Sequence, residues 1–508
     1  LLIGASLIGQ VLAFLRTKLV NANFPAIGPE STDAYFAAFK IPDFFFFTLA
    51  AGALGVAFMP FLAERLAKND RKAIWELSNS LLNLLAIIMF GVGIIILIFA
   101  EPLIHYVVAP NMTPEQLHNA STIMRLIAFN PFLFTLSGIL TSVQQTFGRF
   151  FFFAVAPLIY SGSIIVSIYV FQDSLGLIGL GVGALIGAIL QLLFCLLGFF
   201  GMKYKYHARI NWRNNDFRQI LKQLPPRSID QGIDSINSIV ETNFARRLGE
   251  GKLSYYENAF ILHTAPTLLI GTTISTAAFP RLTDRLAAGR SDLFRKEFLE
   301  ILRVIIWLIL PVAVICYFAR GYLARMIFAN DAPQIAVIFG FFVGAIIFRT
   351  IYALVSRWFY AQKDTRTPLF VSLFAIALNV FLAYKLSKAY DVPGLAMAQS
   401  IVAAAEVAIL FFVMVIRDRK LLDMNFLNGM FKIISVTGFT VLTAFLMISI
   451  LPLESSDRGF ITLGTKLAAI TAVTLFVHVA MSALFALEET KPIIRRIQKF
   501  ILMPVKIQ

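Results

Sequence analysis

The sequence predicts an all-α polytopic membrane protein of about fourteen transmembrane helices. Three observations carry this: 58% hydrophobic residues against 14% charged ones, a mean hydropathy of +0.78, and apolar runs that recur along the whole chain between short polar stretches. A soluble core of this length cannot hide so much apolar surface, so the solvent is lipid. No aqueous domain remains.

The expected spans lie near 1–21, 34–62, 78–107, 121–146, 151–171, 175–201 and 229–247. They continue near 255–280, 297–319, 334–360, 367–387, 393–416, 429–451 and 463–486. Each holds roughly the 20 residues that a helix needs to cross hydrocarbon. The chain opens on Leu1 with no basic flank, so a natural start further upstream is expected. Arg16 and Lys18 interrupt the first segment, which argues against a cleaved signal peptide.

A formal charge of +15 would suit a nucleic-acid partner, but the placement of the cations excludes that reading. With the N-terminus inside, the inner loops hold Arg65, Lys68, Arg71 and Lys72, then the basic stretch 203–228, then Arg281 to Lys296, then Lys363, Arg366 and Arg417 to Lys420. The first three outer loops, near 22–33, 108–120 and 172–174, have no Lys or Arg. This is the positive-inside asymmetry, and it places both termini in the cytoplasm. Some of the charge is available to anionic lipid. Cys195 and Cys316 lie inside apolar spans and read as buried small hydrophobes, with neither a disulfide nor a metal site indicated.

Self-comparison reveals an internal repeat. Residues 57–67 align without gaps to residues 277–287, and Gln145 to Arg149 echo Gln362 to Arg366 at nearly the same offset. The copies are six spans apart and so face the same way, related by an axis along the membrane normal. The expected organisation is a six-helix lobe over 1–201, a basic linker over 202–228 and a second six-helix lobe over 229–417. Two further helices over 418–487 and a basic cytoplasmic tail over 488–508 complete it. Paired lobes suit a transporter, although fold alone names no cargo.

Ionisable residues inside spans are costly and mark a cavity or a partner. In the seventh span Asp230, Asp234, Asn237, Ser238 and Glu241 recur at steps of three or four and share one helical face. That stripe either lines a cavity, where its carboxylates bind a cation or carry protons, or pairs with charges on neighbouring helices. Asn379 in the eleventh span is a candidate neutral oxygen ligand. In the first lobe Arg16, Lys18, Asp33, Lys40 and Asp43 cluster on the first two spans. They form either an anion-binding wall, with Arg16 gripping a phosphate through its planar fork, or an Arg16–Asp33 pair flanked by snorkelling lysines. Arg125, Arg349, Arg357, Glu406 and His478 are further intramembrane polar groups whose direction the sequence does not give.

Other motifs are structural. Gly179, Gly183 and Gly187 form a small-xxx-small face for helix packing rather than a nucleotide loop. The five histidines show no ligand spacing, and the Phe runs 44–47 and 150–153 are lipid-facing or interhelical bulk. No nucleophile, phosphate loop or aqueous carboxylate pair marks an enzyme.

The stretch Ser31 to Pro42, continued by Ala50-Ala51-Gly52-Ala53 and Ala57-Phe58-Met59-Pro60, resembles the MviN/MurJ family of lipid II flippases. Gly148-Arg149-Phe150 with Ala156-Pro157, Phe279-Pro280-Arg281-Leu282, residues 359–368 and Gly394-Leu395-Ala396 extend the resemblance in order along nearly the whole chain. The resemblance implies membership of the multidrug and oligosaccharidyl-lipid exporter group, with two C-terminal helices added to form a groove for the lipid tail. It also implies a cargo of lipid II, undecaprenyl-pyrophosphate carrying a disaccharide-pentapeptide, or a related polyprenyl-pyrophosphate glycan. That cargo would be flipped to the outer leaflet of the bacterial inner membrane by alternating access, for use by the cell-wall synthesis machinery.

No cofactor is implied beyond a coupling sodium ion or proton. Arg16 and Asp33 match cavity positions of the family, Glu241 falls near its sodium site, and Asn379 matches an amide ligand there. Lys18 and Lys40 complete the substrate-binding expectation. Gln10 stands where the family usually has an arginine, Phe46-Phe47 replaces an arginine-containing pair, Phe260-Ile261 replaces an Asp-Arg pair, and Ala383 replaces an acidic ligand. The alternative reading is an exporter of another lipid-linked oligosaccharide or of an amphiphilic drug.

Overall fold

Backbone amides in lipid have no water to bond, so the chain satisfies them within helices. The computed structural model describes residues 2–51, 58–328 and 331–491, and among these the regular elements are all helical. Contacts divide the chain into two compact units, Leu1–Glu257 and Asn258–Gln508.

The first unit contains α1 (Leu2–Asn23), α2 (Thr32–Phe45), α3 (Met59–Ala67), α4 (Arg71–Pro102), α5 (Pro114–Leu126) and α6 (Asn130–Thr146). It continues with α7 (Phe150–Leu175), α8 (Ile178–Leu197), α9 (Asn215–Arg247) and the start of α10 (Lys252–Pro266). The second holds α11 (Thr273–Ala287), α12 (Ser291–Phe318), α13 (Arg320–Ile327), α14 (Ala332–Ala361), α15 (Arg366–Tyr390), α16 (Val392–Arg417), α17 (Met424–Ile450) and α18 (Phe460–Leu484). Among the described residues, 11 helical stretches are long and apolar enough to cross a membrane. The three other expected spans, α1, α2–α3 and α9, are helical over their described residues, and they are the ones carrying the candidate charged residues.

Several spans are less uniform than their hydropathy. Pro42 and Pro266 each remove a backbone donor, and each is followed by a π-helical stretch, Phe46–Ala51 and Thr267–Thr272. The fourth expected span breaks at residues 127–129 into α5 and α6, with Pro131 in the first turn of α6. Helix α9 starts at Asn215, inside the stretch that the sequence marks as linker, because Asn214 caps it and Asp216 favours its first turn.

The two units share their turn geometry. Asn69 and Gly289, at the offset of the first sequence echo, both adopt positive φ (55° and 68°) between paired helices. Gly148 and Lys363 (78° and 62°) do the same at the ends of α6 and α14, where Arg149 N–H reaches Gln144 O at 2.8 Å and Asp364 N–H reaches Phe359 O at 3.0 Å. This shifts the second echo by two residues from its sequence alignment. Gly176 and Asp391 (53° and 59°) match again before α8 and α16.

The glycine face of α8 packs on α7 as expected. A Cβ at Gly183 would lie 2.1 Å from Ser167 Oγ, and one at Gly187 would lie 3.1 Å from the Tyr160 carbonyl. Cys195 and Cys316 are buried free thiols. Phe150, Phe151 and Phe153 are exposed to the surroundings, as lipid-facing bulk should be. In the second unit α17 and α18 pack on α12, where Trp307 Nε1 donates to Ser482 Oγ at 2.9 Å and His478 Nδ1 meets Thr440 Oγ1 at 2.8 Å.

Candidate functional site

The candidate residues of the first unit gather along α2, α9 and α10. Ser31 caps α2 and accepts from Asp33 N–H at 3.1 Å, which fixes Asp33 in the first turn. From there its carboxylate accepts four hydrogen bonds: from Gly251 N–H at 2.9 Å, Ser254 N–H at 2.7 Å, Ser254 Oγ at 2.6 Å and Arg246 Nη1 at 3.3 Å. Gly251 has φ 78°, a conformation that suits glycine and aims its N–H at Asp33. Arg246 also donates to Gly249 O, Asn111 O and Gln116 Oε1, at 3.0, 3.2 and 2.6 Å. Glu250 closes the cluster by accepting from Gly28 N–H at 2.7 Å and from Gln116 Nε2. Three loops, near 24–31, 109–113 and 248–251, are thus tied together by one buried ion pair and its satellites.

Asp33 therefore does not pair with Arg16, and it is fully buried. Its oxygens are engaged by the protein, so in this conformation it is an anchor rather than an exposed wall position. The reason is geometric. An N-terminal position on α2 faces the turn between α9 and α10, whose backbone N–H groups need an acceptor.

Lys40 lies two turns further along α2. Its Nζ donates to Glu257 Oε1 at 2.6 Å and to Ser238 Oγ at 2.8 Å, bridging α2 to α10 and α9. It is held by a carboxylate rather than snorkelling free. Arg16, half-buried on α1, lies within electrostatic reach of Asp43, Tyr35 and Tyr160, yet among the described residues it forms no ion pair within 4 Å. Gln10 is half-buried on the same helix, as is Lys18, which is engaged with neighbouring groups.

On α9 the stripe divides. Glu241 is 3% exposed and accepts from Tyr256 OH at 2.7 Å and Asn237 Nδ2 at 2.8 Å. Tyr256 and Asn237 thus engage different oxygens of the carboxylate. Ser238 serves Lys40, and Asp234 is exposed. The side chain of Asp230 lies outside the described residues. Gly232 lets α9 approach the π-helical stretch of α2, where a Cβ would sit 2.9 Å from Thr48 Oγ1.

The second unit holds its own buried polar network. Arg349 Nη1 pairs with Glu406 Oε2 at 3.1 Å, and Ser372 Oγ donates to Glu406 Oε1 at 2.8 Å. Arg349 Nη2 also reaches Gln399 Oε1 at 3.4 Å. Arg357 donates to Thr276 Oγ1 at 2.8 Å. Asn379 is buried on α15 in this unit, whereas Glu241 belongs to the first. Among the described residues no three or more His, Cys, Asp or Glu side chains are grouped to hold a metal. Phe260, at an expected charged position, packs in an aromatic cluster with His263 and Phe342 at centroid distances of 4.6 and 5.9 Å. Phe46 does likewise with Phe134 in the first unit, at 5.6 Å.

Sequence reasoning passed over Arg246, Glu250, Ser254, Tyr256 and Glu257. A signal for Arg246 existed, since Arg246 and Arg247 end the seventh span on the side where the positive-inside pattern disfavours cations.

The family model described as Lipid II flippase MurJ matches residues 28–485. The chain belongs to the MurJ family. Curated relatives support the match along most of both chains. A probable lipid II flippase MurJ of Borreliella burgdorferi is 21% identical, over 81% of this chain and 82% of that one. One from Rhizobium meliloti is 22% identical over 94% and 92%. Lipid II flippase MurJ of Burkholderia cenocepacia is 24% identical over 77% of each. A solved MurJ, titled as an inward closed conformation, superposes with a TM-score of 0.78 at 22% identity, covering 95% of this chain and 97% of that one. An inward-facing multidrug resistance MATE transporter gives 0.68 at 17% identity, over 81% and 95%. The fold is thus that of MurJ, shared with MATE transporters. Members of the MurJ family are bacterial inner-membrane transporters rather than enzymes.

Proposed function

We propose that this chain flips lipid II, or a closely related polyprenyl-pyrophosphate glycan, from the cytoplasmic to the outer leaflet by alternating access. The observation that carries the cargo assignment is Arg16. It is a half-buried guanidinium inside a membrane helix, without a carboxylate within ion-pair distance among the described residues, in a chain that matches the flippase family from residue 28 to residue 485. A guanidinium with no carboxylate at ion-pair distance among the described residues is costly in lipid unless an anion arrives, and its planar fork suits a pyrophosphate. Lys18, Lys40 and Gln10 stand on the same pair of helices as supporting polar groups.

In this reading both termini are cytoplasmic, and the Asp33–Arg246–Glu250 cluster is an outer latch. Its hydrogen bonds join α2 and the loop before α5 to the turn between α9 and α10, and release at the outer leaflet requires them to part. Glu241 would hold the coupling cation or proton, with Tyr256 and Asn237 orienting its carboxylate. Asp234 and Asp230 belong to the same proposal, and sodium is the cation that the family resemblance suggests. The cell-wall synthesis machinery would consume the delivered precursor.

A second reading, export of another prenyl-linked oligosaccharide or of an amphiphilic drug, is favoured by the aromatic clusters at Phe46 and Phe260. Equilibrium binding of purified chain to lipid II, to other prenyl-pyrophosphate glycans and to a lipophilic cation separates the two. Saturable binding of lipid II that Arg16→Ala abolishes supports the flippase, whereas preference for the lipophilic cation supports the alternative.

A further inference from the structure

The segment between α8 and α9 is strapped to a helix rather than left as a loose linker. On α4, Glu76, Asn79, Ser80 and Asn83 share one face. Asn79 Nδ2 donates to Lys205 O at 2.8 Å, and Asn83 Nδ2 donates to His207 O at 2.8 Å and Arg209 O at 3.1 Å. Asn211 N–H donates to Ser80 Oγ at 3.1 Å, and the Asn211 amide donates to Glu76. From the strap, Tyr206 OH donates to Asn83 Oδ1 at 2.8 Å and Tyr204 OH to Asn79 Oδ1, while the Tyr204 ring packs edge-on against Trp75.

Tyr204 and Tyr206 bond to α4, and Ile210 packs with the same core. Lys203, Lys205, His207 and Arg209, the alternate positions, are all exposed, as is Arg213 beyond the turn. Residues 203–213 contain no Asp or Glu, and among the described residues none of these cations has an ion pair. The strap is therefore a fixed comb of basic side chains.

Its depth follows from α4. Residues 81–100 contain no charged residue and span about 30 Å as helix, the thickness of the hydrocarbon. Asn83 lies in the first turn of that stretch, so the strap's apex at His207–Arg209 stands where headgroups begin. Trp212, 54% exposed, and Phe200, 75% exposed, flank it as interfacial anchors.

We propose that this comb binds the phosphates of anionic phospholipid headgroups in the leaflet that it faces. The charge is single-signed, its backbone is held by the α4 ladder, and its level is that of the headgroups. A soluble acidic protein would meet the strap only clear of the bilayer.

The full chain, reconstituted in phosphatidylcholine vesicles, carries its own reporter, because Trp75, Trp307 and Trp358 are buried and Trp212 is not. Vesicles are doped with equal fractions of phosphatidylglycerol or phosphatidylcholine brominated near the headgroup. Emission lost on Trp212→Phe defines the Trp212 signal. The expected quenching corresponds to an enrichment of phosphatidylglycerol of about 5-fold or more, since each interfacial cation contributes about that factor. It should fall towards parity in about 1 M salt and in the K203Q/K205Q/R209Q/R213Q variant, and persist in K420Q/K432Q. Equal quenching by the two lipids at low salt would overturn the proposal. So would no quenching by either, which would place the strap in water and open to an acidic protein. The salt series on the unmodified chain decides the matter even if the quadruple variant fails to fold.

Discussion

Asp33 and Arg246 stand 213 residues apart in sequence and form an ion pair at 3.3 Å, with side chains 0% and 2% exposed. Removing one partner leaves the other charged and buried. Asp33→Asn should therefore cost about 3–5 kcal/mol, measured by thermal or denaturant unfolding in detergent. Asp33→Asn combined with Arg246→Met should recover part of that loss, because the stranded cation is gone. Additive losses in the double variant would contradict the pairing.

Glu241 is placed to couple transport to an ion. Glu241→Gln retains the size of the group and removes its charge, so the fold should persist while transport loses its response to collapse of the proton or sodium gradient. Transport that responds to the gradients in the variant as in the unmodified chain would remove Glu241 from that role.

The α7–α8 contact has no room for side-chain growth at Gly183, where a Cβ would lie 2.1 Å from Ser167 Oγ and 3.3 Å from Ile164 Cα. Gly183→Val should destabilise by about 1–3 kcal/mol through overpacking. The half-buried Gly91, with open space where a Cβ would sit, should accept Ala with little change. Equal effects at the two sites would contradict a packing role for the Gly179–Gly187 face.

Asp364, in the turn between α14 and α15, tests the electrostatics outside the membrane. Partial burial pushes its pKa up, but hydrogen bonds from Thr367 Oγ1, Arg417 and Thr367 N–H outweigh this and bring it down to about 2. A depressed carboxylate contributes stability that is present above its unfolded value, about 3.9, and lost as pH falls through about 2. Proteolysis at Lys363 with an acid-tolerant protease should therefore stay slow down to about pH 4 and rise below it. Asp364→Asn should remove the pH dependence.

Much of this architecture is legible in sequence because its determinants are local. Twenty apolar residues in a row specify a span whatever they pack against, Gly179, Gly183 and Gly187 mark a close helix contact by spacing alone, and the repeat survives in the turns at Asn69 and Gly289. The stripe that includes Glu241 was visible for the same reason. Partners were not. Asp33 could have met Arg16 17 residues away or Arg246 213 residues away, and only the turn at Gly251, which brings backbone donors beside Arg246, decides between them. Local signals also misled where packing overrode them. The basic stretch 202–228 read as a linker, yet α9 starts within it from its Asn214 cap, and no Gly announced the break before α6.

Delivery of lipid II to the outer leaflet through a site built on Arg16 is the core of the proposed function. Its most direct measurement is complementation of a strain depleted of its own lipid II flippase, read out by the accessibility of lipid II at the outer leaflet. The chain should restore that accessibility. Arg16→Ala should abolish it while remaining inserted and within about 1 kcal/mol of the unmodified stability, since among the described residues Arg16 forms no ion pair within 4 Å. Failure of the unmodified, correctly inserted chain to expose lipid II, or full complementation by Arg16→Ala, would contradict the account.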